Sequence, residues 1–548
     1  MKKMIFSALA LLFACGAGAQ TVYDAVNIAQ RDLNGTARFV GMGGAMGALG
    51  GDLSTMGTNP AGIGIYRSND ASVTFGYNIN STDANYQGNT FTNNKYRWSL
   101  DNAGFVYAMK IGNQTSLRYV NFGFSYNHSK SLYRNLTMSG NLHGESLTNL
   151  MATQADGITP ELWSNQSPYE NTGIGWLSAL GYNSYLINPS STTEETKYPD
   201  LDENNQQRYN DEGKPLYLDY GYYVPIASNA RIKQFQSQER GGVDKYDFNM
   251  SFNVNDRFFW GVTFGFYNVD YQKNTLYEEE FSDGTGFILG SQNRIKGSGF
   301  DVKLGFIARP IEGSPLRFGL AVHTPIFYDL THSTNAFIDS EYGHADTWDE
   351  FDGDMHEDFK LRTPWVVNAS LGYTIGKNLA LGAEYEYEDY SSMKVKKYDI
   401  YSDEFVNTGF ENSEISANLK ATHTFRLGME YKPISSFAFR LGYNYTTTAF
   451  KKDAFKNLQV ATSFYEYNNA ETIHTDADFN NTKDMHTFTL GVGFKQSIFY
   501  ADLAFKHHMY KSEFFPYAYV DGDGIYSPAA TKVDNKRSQV MLTLGVRF

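Results

Sequence analysis

The end of the chain, SQVMLTLGVRF, puts Val540, Leu542, Leu544, Val546 and Phe548 on one face and Gln539, Thr543, Gly545 and Arg547 on the other. Period-two alternation with one apolar face marks a strand lying between an apolar and a polar environment. The same stripe recurs at Phe425, Leu427, Met429 and Tyr431, at Phe437, Phe439, Leu441 and Tyr443, and at Phe488, Leu490, Val492 and Phe494. Read through, the pattern predicts fourteen strands, at 71–80, 101–111, 117–128, 244–254, 257–270, 297–309, 315–328, 360–374, 378–391, 421–432, 436–447, 485–496, 498–510 and 537–548. Most have the ~9–11 residues that a tilted strand needs to cross a bilayer. The links VNDR, PIEGSP, IGKN, KPISS and KQS are tight and alternate with stretches of roughly 20 to 115 residues. Short turns on one side, long loops on the other and an even strand number are the pattern of an all-β transmembrane antiparallel barrel with both termini in the periplasm. A soluble β-sandwich lacks this alternation and this outward aromatic bias.

Composition agrees. Tyr and Phe number 40 each beside 50 Gly, and tyrosine in that abundance suits a membrane–water interface. No stretch offers ~20 consecutive apolar residues, so no helix is expected to span a membrane. The opening MKKMIFSALALLFACGAGAQ reads as a signal peptide over 1–19, with basic Lys2 and Lys3, a short apolar run and a small-residue site before Gln20. The only cysteine, Cys15, lies inside it, and bulky Phe13 fits an acylation site poorly. The mature chain then has no disulfide and no thiolate metal site, and losing two lysines takes its formal charge from −14 to −16.

The third and fourth strands are separated by residues 129–243, too many for a plain linker. Leu147, Leu150, Met151, Leu162, Trp163, Ile174, Trp176, Leu177 and Leu180 within it either pack into a small core or line an apolar entrance. In the second case Trp163, Trp176, Leu177 and Leu180 are the candidate substrate contacts.

Residues 20–70 precede the first strand, are rich in Gly and Ala and carry no stripe. A fourteen-strand lumen leaks unless something fills it, and small residues let backbone pack closely against a wall. The segment therefore reads as an internal plug ahead of a barrel over 71–548. Here Ala37-Arg38, Gly41-Met42-Gly43-Gly44-Ala45, Asp52 with Ser54, and Asn59-Pro60-Ala61-Gly62 resemble the N-terminal motifs of the FadL/TodX outer-membrane transporters of hydrophobic compounds. Two departures stand out: Gly51 replaces a frequent acidic residue before Asp52, and the 129–243 loop is larger than expected. The resemblance implies a plug that gates the lumen, a hydrophobic groove among the outer loops, and a lateral exit at a kink in the third strand. On LRYVNFGFSYNHSK that kink is placed near Asn121 and Gly123.

Other chemistry fares less well. GMGGAMG has Met46 where a dinucleotide fingerprint needs its third glycine. DGDG at 521–524 reads as a turn, and DEFDGDMHED at 349–358 as a solvated loop. His507 and His508 diverge along a strand, while His128, His332, His344 and His356 lie in or near outer loops without a paired spacing for haem iron. No G-x-S-x-G and no telling Ser/His pair argues for an enzyme. Glu384, Glu386 and Glu388 alternate on a lumen face, expected near Arg426 or the plug's Arg38.

The expectation is a passive outer-membrane channel for hydrophobic small molecules such as long-chain fatty acids, without cofactor, metal or nucleic-acid partner. It works as a monomer surrounded by outer-membrane lipid and lipopolysaccharide, with Phe548 ending a signal for the barrel-assembly machinery. A haem-binding receptor and an adhesin or structural barrel are the rivals.

Overall fold

A computed structural model describes residues 22–165, 167–169, 174–202, 206–227, 229–399, 402–458, 473–521 and 524–548. The signal peptide, Cys15, the first two plug residues and the middle of DGDG lie outside the described residues.

Among the described residues fourteen strands form the wall: β1 Asp70–Tyr86, β2 Asn89–Lys110, β3 Leu117–Ser131 continued by Arg134–Asn141, β4 Ala230–Val254, β5 Phe258–Phe281, β6 Gly286–Ala308 and β7 Arg317–His323 with Phe327–Ser340. The rest are β8 Met355–Arg362 with Val366–Ile375, β9 Leu379–Asp389 with Lys394–Asp399, β10 Ala421–Ile434, β11 Phe437–Thr446, β12 Phe479–Gln496, β13 Phe499–Phe515 and β14 Thr531–Arg547. Each pairs antiparallel with the next, and β14 pairs with β1 from Arg547↔Asp70 to Lys532↔Asn85, which closes the barrel. The breaks in β7 and β8 fall at Pro325 and Pro364, which lack the amide that a ladder needs. They lie side by side, and Thr363 N donates to Ile326 O at 3.1 Å.

All fourteen strands occur where the stripes place them, but many run further toward the loop end. On β5 the outward residues Trp260, Phe264 and Phe266 are exposed, as lipid contact requires. Beyond them the stripe inverts. Val269, Tyr271, Tyr277 and Phe281 turn inward and are buried, while Asp270, Gln272 and Asn274 face out. The barrel therefore projects past the bilayer as a water-facing tube whose interior is lined by aromatic and aliphatic side chains together with buried Lys273 and Glu279. The first outer loop, expected to be long, is a two-residue turn at Gln87-Gly88 joining extended β1 and β2.

The interior is layered. Plug residues 37–65 fill the short-turn end, and the helix Val22–Ala29 lies further up among Tyr267, Tyr271, Tyr328, Phe359 and Phe450. Above it the β3–β4 connection folds into a cap of helices Leu147–Ala155, Pro160–Asn165 and Trp176–Asn183 and a small sheet of Ile187–Thr192 with Tyr217–Pro225. Its core packs on Phe235, Tyr277, Phe287 and Phe514 of the wall.

Candidate functional site

The plug is built from short capped turns. Thr36 caps Ala37–Gly41, and its hydroxyl donates to Asp52 Oδ1 at 2.8 Å. Asp52 in turn caps Leu53–Gly57 by accepting from Ser54 N. Asn59, fully buried, caps Pro60–Ile65, with Pro60 in the first helical position where its missing amide costs nothing. The Asn59-Pro60-Ala61-Gly62 turn sits on a glycine shelf of the wall. A Cβ on Gly305 would lie 2.2 Å from Asn59 Oδ1, and one on Gly261 would lie 2.4 Å from the Pro60 carbonyl carbon. Pro60 O also accepts from Ser251 Oγ at 2.8 Å. Gly43 and Gly44 take positive φ, 62° and 81°, and a Cβ on Gly43 would meet Tyr443 N at 2.8 Å. Gly41 rests on Gly491 and Arg440, and Gly62 on Thr55.

Charges pin this plug. Glu384, Glu386 and Glu388 are buried and face inward. Glu384 accepts from Gly47 N at 2.9 Å and Arg426 Nη1 at 2.7 Å, and Arg426 also holds Glu386 at 2.7 Å. The plug's contribution to this stripe is Arg31, paired with Glu388, and not Arg38. Arg38 sits lower, pairs with Glu430 at 3.0 Å and donates to Gly51 O at 2.8 Å. Arg440 extends that network from Glu430 to Asp502 at 2.6 Å. Removing one partner would leave an uncompensated buried charge, which costs far more than the net worth of the pair.

The wall opens between β2 and β3. The β2–β3 ladder runs from Lys110↔Tyr119 to Asn102↔Asn127 and stops. At that level each strand bulges: the β1–β2 register slips at Asp101, and the β3–β4 register slips at Ser129. A bulge kinks its strand and ends local pairing. Beyond it β3 continues against the inner face of the β1–β2 hairpin, where Asn80 Nδ2 donates to Tyr133 O at 3.0 Å and Tyr86 OH to Asn141 O at 2.9 Å. Trp98, 75% exposed, stands outside with Tyr96 and Leu100. The kink thus lies at Ser129. Asn121 and Gly123 lie in unbroken ladder on both sides and seat the plug: Asn121 Nδ2 donates to Ile63 O at 2.7 Å, and Met56 fills the space over Gly123.

Plug residues 32–34 close the seam from within. Asn34 Nδ2 donates to both lips, Asp101 Oδ1 on β2 at 3.1 Å and His128 O on β3 at 2.9 Å. Asp32 N donates to Ser129 O at 2.9 Å, Ser131 N donates to Asp32 Oδ2 at 3.1 Å, and Arg537 holds the same carboxylate at 2.6 Å. Behind this latch is a cavity of about 130 Å³ whose charged lining is Arg31, Lys130, Lys245, Arg426, Lys506 and Arg537 against Asp32, Glu386 and Glu388. Lys506 is 4% exposed and donates to Leu33 O at 2.7 Å. Among the described residues no carboxylate forms an ion pair with it. Neither Asn34 nor Lys506 belongs to a motif, and their alignment with the seam had no signal in the sequence.

The cap residues take the other course open to them. Trp176, Leu177 and Leu180 are at most 1% exposed, inside the cap core, with Trp176 stacked on Phe351 at 5.5 Å. Trp163 stacks on Tyr182 at 4.4 Å and donates to Tyr223 OH. Trp176, Leu177 and Leu180 are packing residues of the cap core, while Trp163 is half-buried at its edge. The acidic run 349–358 makes local bonds, Asp354 with Asn335 and Asp358 with Thr331. His128 pairs with Asp244, His332 stacks on His474, and His344 and His356 stay at the surface. Among the described residues no three His, Asp or Glu side chains converge as for a metal.

No protein-family model and no curated protein matches the chain. Solved structures do. A Pseudomonas aeruginosa FadL homologue superposes with a TM-score of 0.51 at 14% identity, over 94% of this chain and 99% of its own. The Pseudomonas putida toluene transporter TodX gives 0.49 at 10%, and the Ralstonia pickettii toluene transporter TbuX gives 0.42 at 13%, each over 94% of this chain and 99% of its own. In fold, this chain is a FadL-type barrel of fourteen antiparallel strands, here closed around its own N-terminal segment.

Proposed function

We propose that the protein is an outer-membrane channel for passive uptake of hydrophobic small molecules, with the short turns in the periplasm, and that its cargo is a long-chain fatty acid released sideways through the β2–β3 seam. The observation that carries this is the seam itself: the β2–β3 ladder ends where both strands bulge, and the gap is latched by the plug's Asn34 and backed by a cation-rich cavity. A bare hydrocarbon gains nothing from such a cavity, since desolvating its charges is costly. A carboxylate head gains a charge-assisted hydrogen bond from Lys506, while its alkyl tail passes Leu100 and Trp98 into the bilayer. The cavity suits a head group and not a whole chain, so the tail must lie in the seam. The 20–70 segment supports a gating role because residues 32–34, between its upper helix and the seat at 37–65, form the latch.

The test is uptake of a labelled long-chain fatty acid by vesicles holding the full protein, beside the alcohol of equal chain length. Lys506→Gln lowers fatty-acid uptake about ten-fold, the worth of one charge-assisted bond, and leaves the alcohol unchanged. Equal uptake of the acid by wild type and variant overturns the assignment.

A further inference from the structure

At the short-turn end, plug and wall enclose a second cavity of about 410 Å³. Six cationic side chains line it, Arg38, Arg67, Arg317, Lys377, Lys432 and Arg547, against one carboxylate, Glu430. Glu430 is already shared by Arg38 at 3.0 Å, Lys432 at 3.1 Å and Arg440 at 2.7 Å. Arg67 and Arg547 reach acids outside the cavity, Asp256 and Asp70. Arg317 and Lys377 form no ion pair among the described residues. Arg317 Nη1 donates to Leu49 O at 2.8 Å, and its buried Nε has no hydrogen-bond partner. In a protein of net charge −14, six cations at one mouth, two of them without an ion pair among the described residues, call for a ligand.

We propose that this vestibule is an anion site for a phosphate group, borne by a phospholipid head of the periplasmic leaflet or by a soluble phosphate. Guanidinium forks match phosphate oxygens in pairs, and a phosphate, singly charged in a phospholipid head and up to doubly charged as the free ion, can accept from cations converging from several sides. Arg38 and Arg67 come from the plug, and Arg317, Lys377, Lys432 and Arg547 from the wall, so a bound phosphate ties one to the other. Occupancy therefore favours the seated plug by mass action. Lys377 is exposed on the β8–β9 turn beside outward-facing Ile375, within reach of a neighbouring lipid head.

Calorimetric titration of the full-length barrel in a non-ionic detergent tests this, with inorganic phosphate and, separately, with dihexanoyl phosphatidylglycerol. One saturable event is expected, weakened by added salt and about ten-fold weaker in Arg317→Gln/Lys377→Gln. Lys377→Gln alone, in an exposed turn that leaves the plug untouched, weakens it in the same direction, and Lys506→Gln leaves it unchanged. Saturation by inorganic phosphate assigns the site to a free ion, and saturation by the lipid alone assigns it to a head group. No saturable binding of either probe, or equal binding by wild type and both Lys377 variants, overturns the proposal.

Discussion

Asn34 is one amide nitrogen holding two strands that no longer hold each other. Each of its two bonds contributes about 1 kcal/mol net, so Asn34→Ala favours the open seam by roughly thirty-fold. Fatty-acid uptake per folded molecule should rise, and cross-linking across the seam, through cysteines on β2 and β3 that leave Asp101 in place, should become slower than in the latched barrel. Unchanged uptake and cross-linking would show that the bonds of Asp32 hold the seam without it. At this scale the sequence is half legible. Asn59 and Asp52 can be read as caps because a cap acts on its own next two residues, and both do. The seat of Asn59 on Gly305, or the pairing of Arg31 with Glu388, depends on how far the plug climbs the lumen, which no local pattern encodes.

Strands show where a correct rule stops applying. Lipid outside and polar lumen inside holds for β5 up to Phe266, and beyond the bilayer the solvent changes and the stripe must invert. A search for one outward apolar face therefore finds every strand and cuts most of them short. The inverted region is also where the cap docks. Glu279, on β5 outside the membrane, accepts from Leu147 N at 3.1 Å and from the Ser146 hydroxyl, holding the start of the first cap helix. Burial pushes its carboxyl up to about 7, and that of Asp156 up to about 6. A folded pKa above the unfolded 4.5 means that the docked cap keeps a proton which the undocked cap releases. The Glu279 contribution is thus complete below pH 4.5, shrinks as pH rises toward about 7 and is flat above, on the order of 3 kcal/mol in all. Urea melting of the cap, followed by the fluorescence of Trp163 and Trp176, should give a midpoint that falls from pH 5 to 7. Glu279→Gln should remove most of that slope, and an unchanged slope would place the titration elsewhere.

For the whole molecule the decisive step is closure. Thirteen neighbour pairs follow from chain order, but the β14–β1 pair joins the two ends of the barrel sequence, and nothing local favours it. The even strand number and the short turns announce a closed barrel, whereas its closing register does not show in the alternation, since a slip by two residues preserves both faces. The structure fixes that register at the last residue. Phe548 N donates to Asn69 O at 3.0 Å, Asn69 N donates to Phe548 O at 2.8 Å, and Arg547 pairs with Asp70 beside them. The Phe548 side chain is 63% exposed, so it stabilises the folded barrel little. Deleting Phe548 therefore removes the end of the closing ladder together with the terminal aromatic. Export to the periplasm should be unaffected, while the amount of heat-modifiable barrel in the outer membrane should fall sharply. Phe548→Tyr, which keeps both backbone bonds and the ring, should restore it, whereas Phe548→Ala separates the two contributions: near-normal levels would assign the effect to the ladder, and low levels to the aromatic side chain. Normal amounts of barrel after the deletion itself would mean that closure is set by the plug-side contacts of β1 and not by the chain end.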